Sequence, residues 1–115
     1  MFPEVPAPKS GKVKIPVDAK LKFDWRYDLS RRIFISKSGE TFRPRGDLPK
    51  RSKIVYKVPS LAHADPAKLS EPEKDLQRYL QVILPPGKSA KDYVNTVRSW
   101  RCIAEAEVGP EVSLP

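Results

Sequence analysis

Between Lys20 and Asp28 the chain alternates without a break. Leu21, Phe23, Trp25 and Tyr27 fall on one side, and Lys20, Lys22, Asp24, Arg26 and Asp28 on the other. A period of two turns one set inward and the other to solvent, so the stretch reads as a half-buried strand. Asp28 to Arg31 supplies a turn. Ile33 to Ser36 and Thr41 to Arg43 are then spaced to pair as a hairpin across Lys37-Ser38-Gly39-Glu40, where Gly39 can take the positive φ that a short loop needs. On this reading Phe23, Trp25, Tyr27, Ile33 and Ile35 form the inward face. Arg43-Pro44-Arg45-Gly46-Asp47-Leu48-Pro49 interrupts regular structure, and Ile54 to Val58 reads as a further short strand ended by Pro59.

The period lengthens after residue 69. Ser70 stands as an N-cap with Glu73 three residues on as its capping-box partner and Pro72 in the first turn. Leu76, Tyr79, Leu80 and Ile83 follow at i, i+3, i+4 and i+7, which predicts a helix running to the Pro85-Pro86-Gly87 stop. Ser89 and Asp92 start a second helix, with Ala90, Tyr93, Val94, Val97, Trp100 and Ala104 along one face and Gly109-Pro110 at its end. A connection this short predicts an antiparallel helical hairpin. The expected fold class is α+β. It comprises an extended Pro-rich arm over residues 1–19, a basic β-hairpin or meander with a loop over 20–58, a linker over 59–69, the helical hairpin over 70–109 and a tail over 110–115. In the arm, Pro3, Pro6, Pro8 and Pro16 lock φ and remove backbone donors, so that segment forms no core of its own.

Length and charge sharpen this picture. A chain of 115 residues with 13 prolines is one small domain with a modest core and extended arms. The net charge of +8 is not spread evenly. Residues 20–57 hold twelve Lys and Arg against four acids, residues 1–19 net +1, and residues 58–115 net −1. Such a field attracts anionic surfaces. The cations expected to meet a partner are Arg26, Arg31, Arg32, Arg43, Arg45, Lys50, Arg51 and Lys53, spread over strands and a Pro/Gly loop as a broad face. The planar fork of arginine suits phosphate, and backbone contacts of this kind bind without reading sequence.

Enzyme chemistry finds no support in the residue pattern. His63 stands in a Pro/Ala/Asp linker with no second histidine or cysteine near it, which argues against a metal site or a general base. Cys102 is the single cysteine; it is read as a packing residue on the second helix, and no intramolecular disulfide can form. Ser10-Gly11-Lys12 lacks the other glycines of a phosphate loop, and Arg45-Gly46-Asp47 is read as a turn rather than an adhesion signal. No catalytic residue, cofactor, metal or small-molecule substrate is therefore expected. Phe23, Trp25 and Tyr27 have the side chains of a base-stacking platform but stand at core spacing, and no RNP1-like run accompanies them. The N-terminal residues lack the apolar run of a signal peptide, and no run approaches the roughly 18 apolar residues of a membrane span.

The expectation is thus a non-catalytic structural subunit of a large ribonucleoprotein assembly, touching ribosomal RNA through its basic middle third and neighbouring proteins through its helices. In general character the chain is similar to the peripheral subunits of organellar ribosomes, which pair long arms with a small core. That likeness implies a mitochondrial setting reached without a cleaved presequence, and otherwise a cytoplasmic one. The alternative is an accessory protein-binding subunit of a respiratory-chain complex or of an acidic filament such as the microtubule, without nucleic acid. Nothing in the pattern signals an independent homo-oligomer.

Overall fold

A computed structural model describes residues 13–44, 46–109 and 112–113. The elements run β1 (Val13–Lys14), β2 (Val17–Leu21), β3 (Trp25–Asp28), β4 (Ile33–Ser36), β5 (Thr41–Phe42) and β6 (Lys53–Tyr56). Two 3₁₀ turns at Pro59–Leu61 and Pro66–Lys68 follow, then α1 (Glu71–Leu76), β7 (Tyr79–Ile83), α2 (Ala90–Arg98), β8 (Ile103–Val108) and β9 (Val112–Ser113). Four strands form an antiparallel sheet in the order β6-β7-β2-β8. Because β7 and β8 both run against β2, they are parallel to each other, and α2 joins them as the crossover of a split β-α-β unit with β2 inserted between. The helix packs on β8 and β2. β3, β4 and β5 form a separate antiparallel meander, and β1 pairs with β9.

The α+β class stands, but the helical hairpin expected over 70–109 does not form. The capping box of Ser70 and Glu73 is present as expected, yet α1 is six residues long and Leu76 is exposed. The segment Tyr79–Ile83 satisfies a period of two as well as the helical spacing. As a strand it buries Leu80 and Val82 and pairs with β2 on one side and β6 on the other. A helix there would leave the backbone groups of both neighbours unpaired, so the sheet wins. The second helix also stops early. Ser99 caps α2, the chain turns through Trp100 and Cys102, and Ile103–Val108 joins the sheet, with a register shift between Lys20 and Leu21 opposite Ala104.

The alternation around Trp25 is also divided. β2 already starts at Val17 and ends at Leu21; a turn closed by Trp25 N–H donating to Lys22 O at 3.0 Å leads into β3. Trp25 and Tyr27 are buried as expected, but Phe23 sits on the turn and is 75% exposed. In β4 the inward set is Phe34 and Ser36 rather than Ile33 and Ile35, since Phe34 lies opposite the buried Tyr27. A one-residue difference in register exchanges the faces of a strand, and the larger side chain takes the core. The hairpin loop itself falls where the spacing placed it, with Gly39 at φ +91°.

An aromatic cluster joins the meander to the rest of the molecule. Phe34 lies 4.6 Å from Tyr27, 6.1 Å from Phe42 and 5.9 Å from Trp100, centroid to centroid, all tilted. Tyr56 of β6 adds a polar tie, its hydroxyl donating to Tyr27 O at 2.7 Å and accepting from Tyr27 N–H at 3.0 Å. Cys102 is buried at the turn between α2 and β8 rather than on a helix, and burial pushes its thiol up to about 12. The segment 1–12, most of the expected arm, lies outside the described residues, as do residues 110, 111, 114 and 115 of the tail.

Candidate functional site

The basic residues occupy turns and strand positions of the meander and of β6. Arg26 is exposed in mid-β3, opposite Ile35 of β4 and on the far side from Tyr27. Arg31 and Arg32 form the β3–β4 turn, which Asp28 organises by accepting from Arg31 N–H at 3.0 Å and from the Ser30 hydroxyl at 2.9 Å. Those two donors hold the Asp28 carboxyl below the usual carboxylate range. Arg43, just past β5, donates to Arg31 O at 3.5 Å, so the end of the meander gathers Arg31 and Arg43. Lys50 and Arg51 lie on a turn in which Ser52 N–H and Oγ both donate to Pro49 O, and Lys53 opens β6. The loop carrying them is fastened to the core where Trp100 Nε1 donates to Asp47 Oδ2 at 3.1 Å. Arg45 lies outside the described residues.

The described members of this set make no ion pair, a property they share with the exposed Lys22, Lys37, Lys68, Lys88, Lys91 and Arg98. Among the described residues the pairs are Lys20–Asp75, Lys57–Asp18, Lys74–Glu71, Arg78–Asp75 and Arg101–Glu40, at 2.9 to 3.3 Å. None uses Arg26, Arg31, Arg32, Arg43, Lys50, Arg51 or Lys53, all of which are exposed. Three of the four acids of this stretch are engaged elsewhere: Glu40 holds Arg101, Asp47 holds the Trp100 indole, and Asp28 builds its own turn, while Asp24 lies on the β2–β3 turn beside Phe23.

No family model, curated protein or solved structure matches this chain.

Beside the basic residues lies a groove of about 780 Å³ that the spacing of the sequence did not announce. Its walls are the β2–β3 turn, the outer part of β3, the linker near His63 and the end of α1. Gln77 Nε2 fastens the linker wall by donating to Leu61 O at 2.8 Å and Ala64 O at 2.9 Å, and Arg78 Nε fastens the floor by donating to Leu21 O at 2.9 Å. Phe23 and Lys37 stand at this groove, with the Lys37 ammonium 5.9 Å from the centre of the Phe23 ring. The unbroken alternation hid the exposed Phe23; Asp24, a turn former set between two apolar residues, was the available hint. His63 is exposed on the linker wall, and the described residues hold no cluster of three His, Cys, Asp or Glu suited to a metal ion. Among the described residues no helix is long and apolar enough to cross a membrane.

Proposed function

We propose that this protein is a non-catalytic RNA-binding subunit of a large ribonucleoprotein assembly, set at the periphery of an organellar, mitochondrial ribosome. The observation that supports the reading is the concentration of cations in residues 20–57, seven of which, Arg26, Arg31, Arg32, Arg43, Lys50, Arg51 and Lys53, are exposed on turns and strands and make no ion pair among the described residues. Cations on rigid turns meet a phosphate backbone at little cost in ordering, and five of the seven are arginines, whose forked donors match phosphate oxygens. A surface of this kind recognises the charge and shape of RNA rather than base sequence.

The test is the salt dependence of RNA binding by the purified protein. Fluorescence anisotropy with a structured RNA fragment is expected to give an affinity that falls linearly with salt on logarithmic axes, as counterion release requires. Changing Arg43, Arg51 and Lys53 together to Ser should reduce the slope by about one per cation that contacts phosphate, with circular dichroism unchanged. Absence of RNA binding at low salt refutes the proposal.

A further inference from the structure

The exposed ring at the mouth of the groove has no structural use on the inside of the molecule, yet the chain holds it firmly. Phe23 is the most exposed large apolar side chain of those described, at 75%. The turn that carries it is pinned from three directions. Lys22 N–H donates to Cys102 O at 2.9 Å, Trp25 N–H to Lys22 O at 3.0 Å, and Lys37 N–H to Asp24 O at 2.8 Å. An aromatic side chain left in water on a rigid turn loses the burial that normally keeps it in a small domain, and it stands ready for a partner with a flat face.

What surrounds the ring selects the partner. Arg26 and Lys37 line the groove with it and Lys22 precedes it in the chain; all three are exposed and form no ion pair among the described residues. Three of the four carboxylates lining the groove are already answered, Asp75 by Lys20 and Arg78, Glu71 by Lys74, and Asp28 by Ser30 and the Arg31 N–H. Asp24, next to Phe23, is the one that Lys22, Arg26 and Lys37 must outweigh. The groove volume falls within the roughly 300–1,000 Å³ range of clefts that enclose a small ligand. An aromatic ring with cations beside it, Lys37 already 5.9 Å from its centre, suits an unpaired nucleotide, the base stacked on the ring face that Lys37 leaves open and its phosphates on the ammonium and guanidinium groups. A base held within a duplex could not reach it.

We propose that Phe23 is a stacking platform for one unpaired base of a single-stranded RNA segment, with Lys22, Arg26 and Lys37 holding the adjoining phosphates. The proposal rests on the RNA-binding reading above and adds to it a preference for unpaired over duplex RNA. The test uses the full chain with a single-stranded oligoribonucleotide carrying 2-aminopurine, and the same sequence closed in a duplex. Phe23→Ala should weaken single-strand binding about tenfold, the scale of one base–aromatic stack, without altering the salt slope, and should leave duplex binding unchanged. Phe23→Trp should restore affinity, and the 2-aminopurine fluorescence should be quenched by wild type and Phe23→Trp but not by Phe23→Ala.

Equal binding by wild type and Phe23→Ala overturns the stacking assignment while the salt-dependent reading stands. Failure of the wild type to bind either RNA overturns both. Binding of labelled polyglutamate that Phe23→Ala abolishes, with RNA binding unaffected, gives the groove to an acidic protein segment and likewise overturns the assignment. Because Phe23 is exposed, its replacement should leave the thermal midpoint unchanged.

Discussion

Two arginines of the basic face hold backbone conformations that glycine would adopt more easily. Arg32 has φ +54° and Arg51 φ +71°, in the left-handed region that disfavours a side chain by about 1–2 kcal/mol. Arg51→Gly should therefore raise stability by about 0.5 kcal/mol in urea unfolding, after subtracting the greater chain entropy of glycine, while weakening RNA binding. Weaker stability with unchanged binding would show that Arg51 serves the fold. Tyr56 gives the opposite case. Its hydroxyl satisfies both backbone groups of the buried Tyr27, so Tyr56→Phe leaves two polar groups unpaired and should lower stability by about 2 kcal/mol in the same measurement. Cys102 supplies a pH dependence. Burial raises its thiol from 9.0 to about 12, so the folded state keeps a proton that the unfolded chain loses. Its contribution is full below about pH 9 and falls as pH rises toward 12. The loss of stability between pH 8 and pH 10 should be larger in wild type than in Cys102→Ala. At this scale Trp25 and Tyr27 were legible as core, because their burial follows directly from period two. Phe23 and Ile35 were not, because a turn and a one-residue register choice reassign faces that the pattern treats as continuous.

The starts of the two helices were legible and their ends were not, since a helix start is marked by local chemistry and its end here depends on remote partners. The strand starts at Val17, Tyr79 and Ile103, which local chemistry does not mark, were not legible. Ser70 Oγ accepts from Glu73 N–H at 3.3 Å and the Glu73 carboxylate accepts from Ser70 N–H at 2.9 Å, a reciprocal cap written within four residues. Ser89 likewise accepts from Lys91 N–H at the start of α2. Nothing local ends α1 at Leu76; the chain leaves the helix because Arg78 O accepts from Leu21 N–H and Tyr79 begins to pair with Lys20. A six-residue helix has little intrinsic stability and depends on its cap. Changing Ser70 and Glu73 together to Ala should therefore lower global stability by about 1 kcal/mol and speed hydrogen exchange over residues 70–77 first. An unchanged exchange rate there would mean that the contacts of Gln77 and Arg78, rather than the cap, hold α1 in place.

At the scale of the whole molecule the α+β class and the place of the charge could be read from the chain, whereas the sheet order could not. The contacts that decide it are distant in sequence: Gln81 reaches Asp18 across 63 residues, and Arg78 reaches Leu21 across 57. A local pattern carries no record of such pairings. They also change what can fold alone. A helical hairpin over 70–109 would be an independent unit, each helix burying its stripe on the other. In the observed topology β7 and β8 do not pair, because β2 lies between them and supplies backbone partners to both. The fragment 70–109 would therefore expose the inner faces of two strands and leave α2 without the β2 residues it packs on. We expect that fragment to lack a cooperative thermal transition, and a fragment of residues 13–109 to regain one. Closing a sheet around an N-terminal strand demands loop closure before the contacts stabilise it, so refolding of the longer fragment should fall in the millisecond-to-second range rather than the microseconds of a helical pair. A cooperative, fast-folding 70–109 fragment would contradict the inserted-strand topology and restore the helical hairpin.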